Sequence, residues 1–554
     1  MGSAAFPCII ARVSPHSIST TLALQRHGQP GESEPEQILA RVARALGQDA
    51  QQAREFESAM HAGLLPAGRI LANAGASGSH AATLANCFVQ PLGPGLRGLR
   101  RALRQVAHTL RSGGGVGLDL SACSASTTQG NARVSLTQAL QAFEDLACTI
   151  EASGGRPAAL MGTLPIDHPA ASELIEVKQS RRLPHFNLSL MITDMFMHRL
   201  HGEPAVQALW LHLARNALAQ GDPGVLFIDT IQRKDNLGLE ETLRSCNPCG
   251  EQPLPDWGAC LLASINLTRL VIAPFTPAAR MDLEGLRRLS RTGVALLDQA
   301  IDRAAFPWPQ QTALARAQRR IGLGVLGLGD ALIMLGLHYD SPVARAQAAA
   351  LMHEIQCAAW ETSIARARSM GATIACPAAS LLHAGHSASQ LPAELQSGLR
   401  RYGSRNTHLT SIAPTGTLAL AWADNASPGI EPVFAHEGDR LRQDAQGALR
   451  PMGLSSPALR LWRTKTGSRS QRPPAELPCA PTHPPAWQTV DTVSPSAQIA
   501  MVAALQPWVD AGVSKTLALP ADATPHRVSN ALRLAWRCGL KGLAVYRMPA
   551  WPCG

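Results

Sequence analysis

The sequence is short of long apolar runs, of charge and of targeting signals, and each shortage excludes a class of protein. None of its apolar runs reaches the roughly 18–20 residues that a membrane-spanning helix needs. Charged residues make up only 16% of the 554 residues, against 45% hydrophobic ones, which excludes a disordered chain. The first residues lack the basic segment of a secretion signal. We therefore expect a cytoplasmic protein without a membrane anchor.

Twelve cysteines stand out in a chain expected in a reducing compartment. Structural disulfides are rare there, so catalytic, redox and metal-binding roles for cysteine become more plausible. The net charge of +10 suits an anionic partner. That partner could be nucleic acid, acidic lipid or a nucleotide. Because the arginines occur in short scattered groups, solvated surface arginines are favoured over a nucleic-acid-binding face, and a nucleic-acid-binding protein is kept as an alternative.

Helical and strand patterns alternate along the chain, which predicts an α/β body with buried strands. A single helix is expected over 34–63, starting at Ser33, and further helices over the stretches 205–219, 284–304 and 342–370. Buried strands are expected at 187–192 and 225–228. A Pro-rich basic stretch at 463–489 predicts a long surface loop.

The densest group of reactive side chains is the segment SCNPCGEQ, residues 245–252. Pro248 and Gly250 disfavour a regular helix or strand, so a tight loop is expected. Taken alone, the Cys246-x-x-Cys249 spacing fits half a zinc site or a thioredoxin-like dithiol. No second CxxC is present to complete a zinc site, and the proline and glycine disfavour the helix that a thioredoxin motif begins.

This segment resembles the finger loop of ribonucleotide reductase catalytic subunits, in which Asn, Cys and Glu stand at alternate positions. Alternate residues of an extended tip point the same way, so Asn247, Cys249 and Glu251 would face one ligand. The resemblance implies that a thiyl radical on Cys249 takes hydrogen from the ribose 3′ carbon. Glu251 would act as general base toward the 3′-hydroxyl, and Asn247 would hold the hydroxyl groups.

The resemblance runs from about residue 35 to Arg547 in ordered blocks. It implies a ten-stranded α/β barrel over 81–550, preceded by a small helical region at 1–80. It also implies that Cys87, in ANCFV, and Cys260, in CLLASINL, form the reducing pair. The other substrate-binding residues that it implies are Gly68, Asn86, Gly114, Pro414, Thr415, Gly416 and Thr417.

The segment Pro414–Thr417 also has an interpretation of its own. Proline and glycine set a turn ahead of an apolar helix, and free N–H groups and hydroxyls at a helix start can bind an anion. An ordinary helix cap is the alternative. The resemblance favours a site for the substrate phosphates.

Tyrosine scarcity indicates the class of reductase. The sequence holds three tyrosines, no two of them adjacent, whereas one class of the family moves its radical along tyrosines. A glycyl-radical block is not evident either. The resemblance is therefore to the adenosylcobalamin-dependent class, which implies adenosylcobalamin as cofactor, a ribonucleotide substrate that is a diphosphate, DNA-precursor synthesis, a homodimer and a thioredoxin-like or small dithiol reductant. No catalytic metal ligands are expected in the protein itself.

Several departures from the family pattern motivate a second hypothesis. Gly68 stands where relatives carry Ser or Thr against the substrate, and the tail offers only Cys553 where relatives carry a cysteine pair. The effector-loop region Asp119 to Asn131 also diverges, with Ala122 and Ala125 in place of arginine-containing sequence, which predicts a weakened effector response. The alternative is a catalytically impaired paralogue that binds nucleotide.

Overall fold

The computed structural model describes residues 17–76, 82–125, 134–153, 157–180, 182–373, 377–443, 449–466 and 486–549. Its strands are β1 Leu64–Pro66, β2 Cys87–Gln90, β3 Gly115–Asp119, β4 Leu160–Pro165, β5 Phe186–Ile192, β6 Gly224–Phe227, β7 Ser245–Cys246, β8 Pro253–Leu254, β9 Ala259–Asn266, β10 Val271–Ile272, β11 Arg280–Met281, β12 Ile321–Leu326, β13 Glu437–Gln443, β14 Leu449–Ser455, β15 Thr516–Leu519 and β16 Gly542–Arg547.

The helices surround these strands and alternate with them along the chain. They are α1 Ser17–His27, α2 Pro35–Leu46, α3 Ala50–Ala62, α4 Gly68–Asn73, α5 Gly95–Arg111, α6 Leu136–Ala152, α7 Ala171–Ser180, α8 Asp194–Arg199, α9 Pro204–Gln220, α10 Ile228–Arg233, α11 Leu283–Arg303, α12 Pro309–Gln318, α13 Leu328–Met334, α14 Pro342–Met370, α15 Ala378–Leu381, α16 Ala393–Tyr402, α17 Gly416–Trp422, α18 Pro457–Thr466, α19 Pro495–Leu505 and α20 Pro525–Arg537.

The principal sheet has ten strands. Nine of them form two groups: the strands within a group run parallel to each other, and the two groups run in opposite directions. Strands β2 to β6 pair in parallel in chain order, while β9 pairs in parallel with β12 and β15 with β16. The groups meet where β9 runs antiparallel to β2 and β16 runs antiparallel to β6. The tenth strand, β1, follows the N-terminal helices in the chain and pairs antiparallel with β9.

Two irregular segments, 409–412 and 511–514, connect β12 to β15 by hydrogen bonds. In the first segment, Thr410 forms a β-bridge with Leu323 of β12. Ile412 forms a β-bridge with Val513 of the second segment, which leads into β15. Ser411 N–H donates to the Leu323 carbonyl at 3.1 Å, and Ile412 N–H donates to Gly512 at the same distance. Hydrogen-bonded segments thus follow one another round a ring, and the predicted ten-stranded α/β barrel is confirmed.

The antiparallel hairpin β7–β8 lies against the strands of the first parallel group. A Cβ at Gly117 of β3 would collide with the carbonyl oxygen of Cys246 in β7. A Cβ at Gly115 would lie 3.0 Å from the Pro248 ring at the hairpin tip. The glycines of β3 are therefore what lets the hairpin approach the sheet so closely.

The helix predicted over 34–63 is wrong as a single element. Gly47 ends α2, and Asp49 caps α3 by accepting from the N–H of Gln52 at 2.8 Å, so two helices meet at an angle. The N-cap residue of α2 is Glu34, whereas Ser33 was the expected cap. Both helices pack apolar faces, including Ile38, on the core.

Other expectations can be compared directly with the described residues. The helices at 205–219, 284–304 and 342–370 and both buried strands are confirmed within one residue at each end. Of the loop expected at 463–489, the first residues belong to α18, and 467–485 lie outside the described residues. The boundary at residue 80 between a helical region and the barrel stays a prediction. No helix in the described ranges combines the length and apolarity that crossing a bilayer requires.

Candidate active site

The tip of the β7–β8 hairpin is a tight turn fixed by its own backbone. Gly250 N–H donates to the Asn247 carbonyl at 3.0 Å, and Asn247 N–H donates to the Gln252 carbonyl at 3.0 Å. Gly250 takes φ 80°, a left-handed conformation that favours glycine. From the barrel wall, Asn187 Nδ2 donates to the Pro248 carbonyl at 2.7 Å. The tip is therefore held by the sheet as well as by itself.

Asn247, Cys249 and Glu251 all line one cavity of about 570 Å³. The expectation that these alternate residues face a common space therefore agrees with their placement. Cys246 points elsewhere and is fully buried among apolar side chains that include Met161. The two cysteines of the CxxC spacing do not face the same space, which disfavours a shared metal ion or a dithiol.

Cys87 and Cys260, which are 173 positions apart in sequence, are direct cross-strand neighbours where β2 meets β9. Directly opposed residues in an antiparallel pair have Cβ atoms about 5 Å apart. Cys87 reaches the finger loop, since Asn247 Nδ2 lies 3.1 Å from its sulfur and Glu251 Oε1 lies 3.9 Å from it. Cys260 is buried behind Cys87 and is not part of the cavity wall.

Burial dominates the electrostatics of this group. It raises the pKa of Glu251 to about 7, and the Glu251 Oε2 atom has no hydrogen-bond partner among the described residues. The Cys249 side chain itself is exposed to the cavity, and there the partial loss of water around the loop tip, followed by the Glu251 carboxylate, raises the pKa of its thiol. The pKa values of Cys87 and Cys260 are raised for the same reasons. All three cysteines are therefore neutral thiols at pH 7, whereas nucleophilic and metal-binding cysteines act as thiolates.

The other predicted substrate residues fall in the same cavity wall, with one exception. Gly68, Asn86 and residues 414–417 line the cavity. Gly114 does not: its neighbours Gly113 and Gly115 take that place, because a Cβ at Gly114 would collide with the Phe88 ring. The contact of Gly114 with substrate stays a prediction, and Gly113 and Gly115 are the residues of this turn that line the cavity.

Thr415 precedes α17 in a left-handed conformation, with φ 52° and ψ 20°. Its hydroxyl accepts from the N–H of Gly429 at 2.8 Å rather than from the helix, and no side-chain cap of α17 is found among the described residues. The ordinary helix cap that the sequence left open is therefore disfavoured. The N–H groups that begin α17 lie beside the cavity instead.

Part of the wall comes from residues that the sequence interpretation did not identify. The end of α1 contributes Gln25, Arg26 and His27, and Arg69 follows Gly68. Two arginines suit the phosphates of a nucleotide. No local motif marks these residues, and only the packing of α1 beside α17 brings them to the cavity.

A second cavity of about 350 Å³ lies on the other side of the hairpin tip. Pro248, Cys249 and Pro414 line both cavities, so the Cys249 side chain is reached from two sides. The second wall is rich in glycine, and a Cβ at Gly250 would point into open space. A second group can thus approach Cys249 from the side away from the first cavity.

Comparison with known proteins gives the family. The family model described as ribonucleotide reductase, barrel domain, matches residues 85–207 and 201–546. The chain belongs to the ribonucleotide reductase family. A Mycobacterium tuberculosis protein named vitamin B12-dependent ribonucleoside-diphosphate reductase is 34% identical over 512 residues, which cover 85% of this chain and 68% of that protein.

Two further relatives carry related names. The vitamin B12-dependent ribonucleoside-diphosphate reductase of Thermoplasma acidophilum is 30% identical over 506 residues, covering 85% of this chain and 62% of its own. The vitamin B12-dependent ribonucleotide reductase of Streptomyces clavuligerus is 26% identical over 545 residues, covering 83% and 56%. The finger-loop cysteine therefore lies in a ribonucleotide reductase barrel whose named relatives depend on vitamin B12.

Proposed function

We propose that this chain reduces ribonucleotides, as diphosphates, to 2′-deoxyribonucleotides through a thiyl radical on Cys249, with adenosylcobalamin as cofactor. Such an oxidoreductase supplies DNA precursors, and we place it in the cytoplasm. Membership of the ribonucleotide reductase family and the names of its relatives support the reaction and the cofactor.

One observation carries the assignment to Cys249. Its thiol lies at the tip of the hairpin between two cavities, and Glu251, whose Oε2 has no hydrogen-bond partner among the described residues, lies in the same loop. A hydrogen atom can be abstracted only from S–H, so a thiol that is protonated at pH 7 is in the form that radical chemistry needs. Access from two sides lets the thiol meet the radical source on one side and the substrate on the other.

Each of the finger-loop residues in the first cavity then has its own role in the reaction. The Cys249 thiyl takes a hydrogen atom from the ribose 3′ carbon and so becomes S–H, and it becomes the thiyl radical again when it returns that hydrogen at the end. Glu251 accepts the proton of the 3′-hydroxyl, a role that a carboxyl with a pKa of about 7 fits. Asn247 orients the ribose hydroxyls.

Cys87 and Cys260 supply two electrons and two protons and become a disulfide. The 2′-hydroxyl leaves as water, so one nucleotide and two thiols give one deoxynucleotide, one disulfide and one water. The cross-strand placement of the two cysteines supports this pairing, and the contact of Cys87 with Asn247 supports a role for Cys87 as the thiol nearer the substrate.

We assign the part of the cofactor that meets Cys249 to the second cavity. A Cβ at Gly250 would meet open space there, and Ser514 and Tyr546 would hold this part of the group. When bound, adenosylcobalamin supplies the hydrogen-abstracting radical. The protein contributes position: it presents Cys249 and keeps the thiol protonated.

The phosphates are assigned to residues 414–417. The residues at the start of α17 line the cavity, and so do Gly68, Asn86, Arg26 and Arg69. Because neither Thr415 nor another described side chain caps α17, the N–H groups at its start suit an anionic ligand.

Three finer points complete the proposal. We propose a homodimer. We also propose that its effector control is weak, because Ala122 and Ala125 stand in place of arginine-containing sequence; residues 126–133 of this region lie outside the described residues. The reductant is a thioredoxin-like protein or a small dithiol, and Cys553 also lies outside the described residues. Nucleic acid and membranes are not proposed as partners.

Turnover with dithiothreitol tests the function against the impaired-paralogue alternative. Dithiothreitol reaches the Cys87–Cys260 disulfide without help from the tail. We expect the chain with adenosylcobalamin, a ribonucleoside diphosphate and dithiothreitol to form deoxynucleotide over many turnovers. Binding of the nucleotide without any product would favour the impaired paralogue instead.

A further inference from the structure

Three side chains of the kinds that bind transition metals converge away from the two cavities. Glu144 and Cys148 lie one turn apart on α6, and His185 lies directly before β5. The Cys148 sulfur is 3.7 Å from Glu144 Oε1 and 3.9 Å from His185 Nδ1, and this nitrogen is 2.5 Å from Glu144 Oε1. None of the three residues lines either cavity, so the cluster is separate from the proposed catalytic group.

The separations in this cluster suit a tetrahedral ion. With metal–ligand bonds of roughly 2.0–2.3 Å, the ligand atoms of a tetrahedral site lie about 3.3–3.8 Å apart. Both separations from the Cys148 sulfur are close to this range. The contact between His185 and Glu144 is shorter because a proton joins the two atoms. An ion that replaces this proton requires the contact to lengthen by only about 1 Å.

The Glu144 carboxylate gives a second indication of a ligand. Glu144 is only 2% exposed, and its Oε2 atom is buried with no hydrogen-bond partner among the described residues. A buried carboxylate oxygen without a partner is costly, and such an atom in a native protein calls for an explanation. Coordination of a cation by this carboxylate provides one.

Glu151 completes the arrangement from the other side of the imidazole ring. Its Oε2 lies 2.6 Å from His185 Nε2. A histidine that binds a metal through one nitrogen usually donates from the other to a carboxylate, a carbonyl or water, which fixes the ring and makes it a better ligand. Cys148 is exposed, so an ion can reach the cluster from solvent, and water can serve as its fourth ligand.

We propose that Glu144, Cys148 and His185 bind a divalent transition-metal ion of the zinc type. Glu151 is a positioning residue, which orients the histidine. Thiolate, imidazole and carboxylate ligands together favour Zn²⁺ over Mg²⁺ and Ca²⁺, which prefer oxygen ligands alone. On binding, the ion replaces the thiol proton of Cys148 and the proton between His185 and Glu144. Both protons pass to solvent, and no electron is transferred.

The ion has a structural role beside the first cavity. It joins the C-terminal half of α6 to the start of β5, where Leu160 N–H of β4 donates to the His185 carbonyl at 2.8 Å. Pro157 and Ala159, just before β4, line the first cavity. The site therefore supports the backbone on which this part of the cavity wall is built, and it takes no part in the radical reaction.

Titration with Co²⁺ tests the site directly. Cobalt can replace zinc, and a thiolate ligand gives it a charge-transfer band in the near ultraviolet. The purified chain is freed of metal with a chelator, kept reduced with a phosphine, and titrated with Co²⁺ and then with Zn²⁺. We expect one equivalent of Co²⁺ per chain with a thiolate band, and loss of that band when Zn²⁺ displaces it. Zinc should also raise the midpoint of thermal unfolding.

Three variants locate the ion. Cys148→Ser should lose the thiolate band. Glu151→Gln should keep the band but weaken metal binding by about 10- to 100-fold, because it loses only the group that orients the histidine. Cys357→Ser is the matched control and should bind Co²⁺ as wild type does. The Cys357 sulfur lies 3.4 Å from His353 Nε2 on α14, but no third ligand joins this pair among the described residues.

A wild-type chain without a thiolate-to-cobalt band would overturn the proposal and leave His185 as a ring held between two carboxylates. A band that persists in Cys148→Ser, or that disappears in Cys357→Ser, would also overturn it, because the ion would then lie elsewhere. Unchanged affinity in Glu151→Gln would refute the positioning role of Glu151. Since Cys148 is exposed, Cys148→Ser should fold as wild type does, and its unfolding midpoint without metal checks this. No step of the test measures turnover, so its outcome is independent of the proposed function.

Discussion

Replacing Glu251 with glutamine should remove turnover and, above neutral pH, make the protein more stable. Glu251 is 2% exposed, and its Oε2 has no partner among the described residues. Burial raises its pKa from the ordinary value of 4.5 to about 7. The folded state thus holds on to a proton that the unfolded chain releases, so ionising this carboxyl weakens the fold.

The sign and size of the effect follow from these two pKa values. Below pH 4.5 the carboxyl is protonated in both states and has no effect on the free energy of unfolding. As pH rises toward 7 the stability of the wild type falls, because the unfolded state has already ionised. The loss is about 1 kcal/mol at pH 5.5 and about 3 kcal/mol at pH 8.5. Glutamine does not titrate, so the Glu251→Gln variant escapes this loss.

Thermal unfolding of wild type and Glu251→Gln across pH 5.5–8.5 measures the difference in their stability at each pH. The variant should gain stability relative to wild type as pH rises, while its turnover falls by about 10²- to 10⁴-fold. Glu55→Gln, at an exposed position on α3, is the matched control and should show no such pH dependence. A constant difference between Glu251→Gln and wild type at every pH would refute the burial argument.

Three further outcomes are expected. Gly117→Ala should displace the β7–β8 hairpin, because the new Cβ would collide with the Cys246 carbonyl. Turnover should therefore fall sharply, and an unchanged turnover rate would contradict the close approach of β3 and β7. With dithiothreitol many turnovers are expected, because a small dithiol can reach the Cys87–Cys260 disulfide inside the barrel; turnover that stops after about one product per chain would contradict this. Substrate preference should respond little to dTTP or dGTP, and strong switching in a substrate-competition assay would contradict the weakened effector response.

The finger loop was predictable because its chemistry is contiguous in sequence. Pro248 and Gly250 mark the turn, and the alternation of Asn247, Cys249 and Glu251 indicates a common face. The buried strands and the longer helices were predictable for a similar reason: apolar periodicity is local, and it extends over enough residues to set the element and its ends.

The remaining features depend on tertiary packing. The segments that complete the barrel, 409–412 and 511–514, carry too few residues for a strand pattern, and they become bridges only between β12 and β15. The break between α2 and α3 falls at Gly47, inside an apolar pattern that continues on both sides. His27 reaches the cavity through its contact with Trp422, 395 positions away in sequence, and no local signal predicts such a contact.

The most direct test of the account is deoxynucleotide formation by the purified chain alone, with adenosylcobalamin, a ribonucleoside diphosphate and dithiothreitol, and without iron or a second protein. Product should form in wild type, disappear in Cys249→Ala and persist largely in Cys246→Ala, because Cys246 is buried away from both cavities. Equal loss in the two cysteine variants, or product that persists in Cys249→Ala, would contradict a thiyl radical at Cys249.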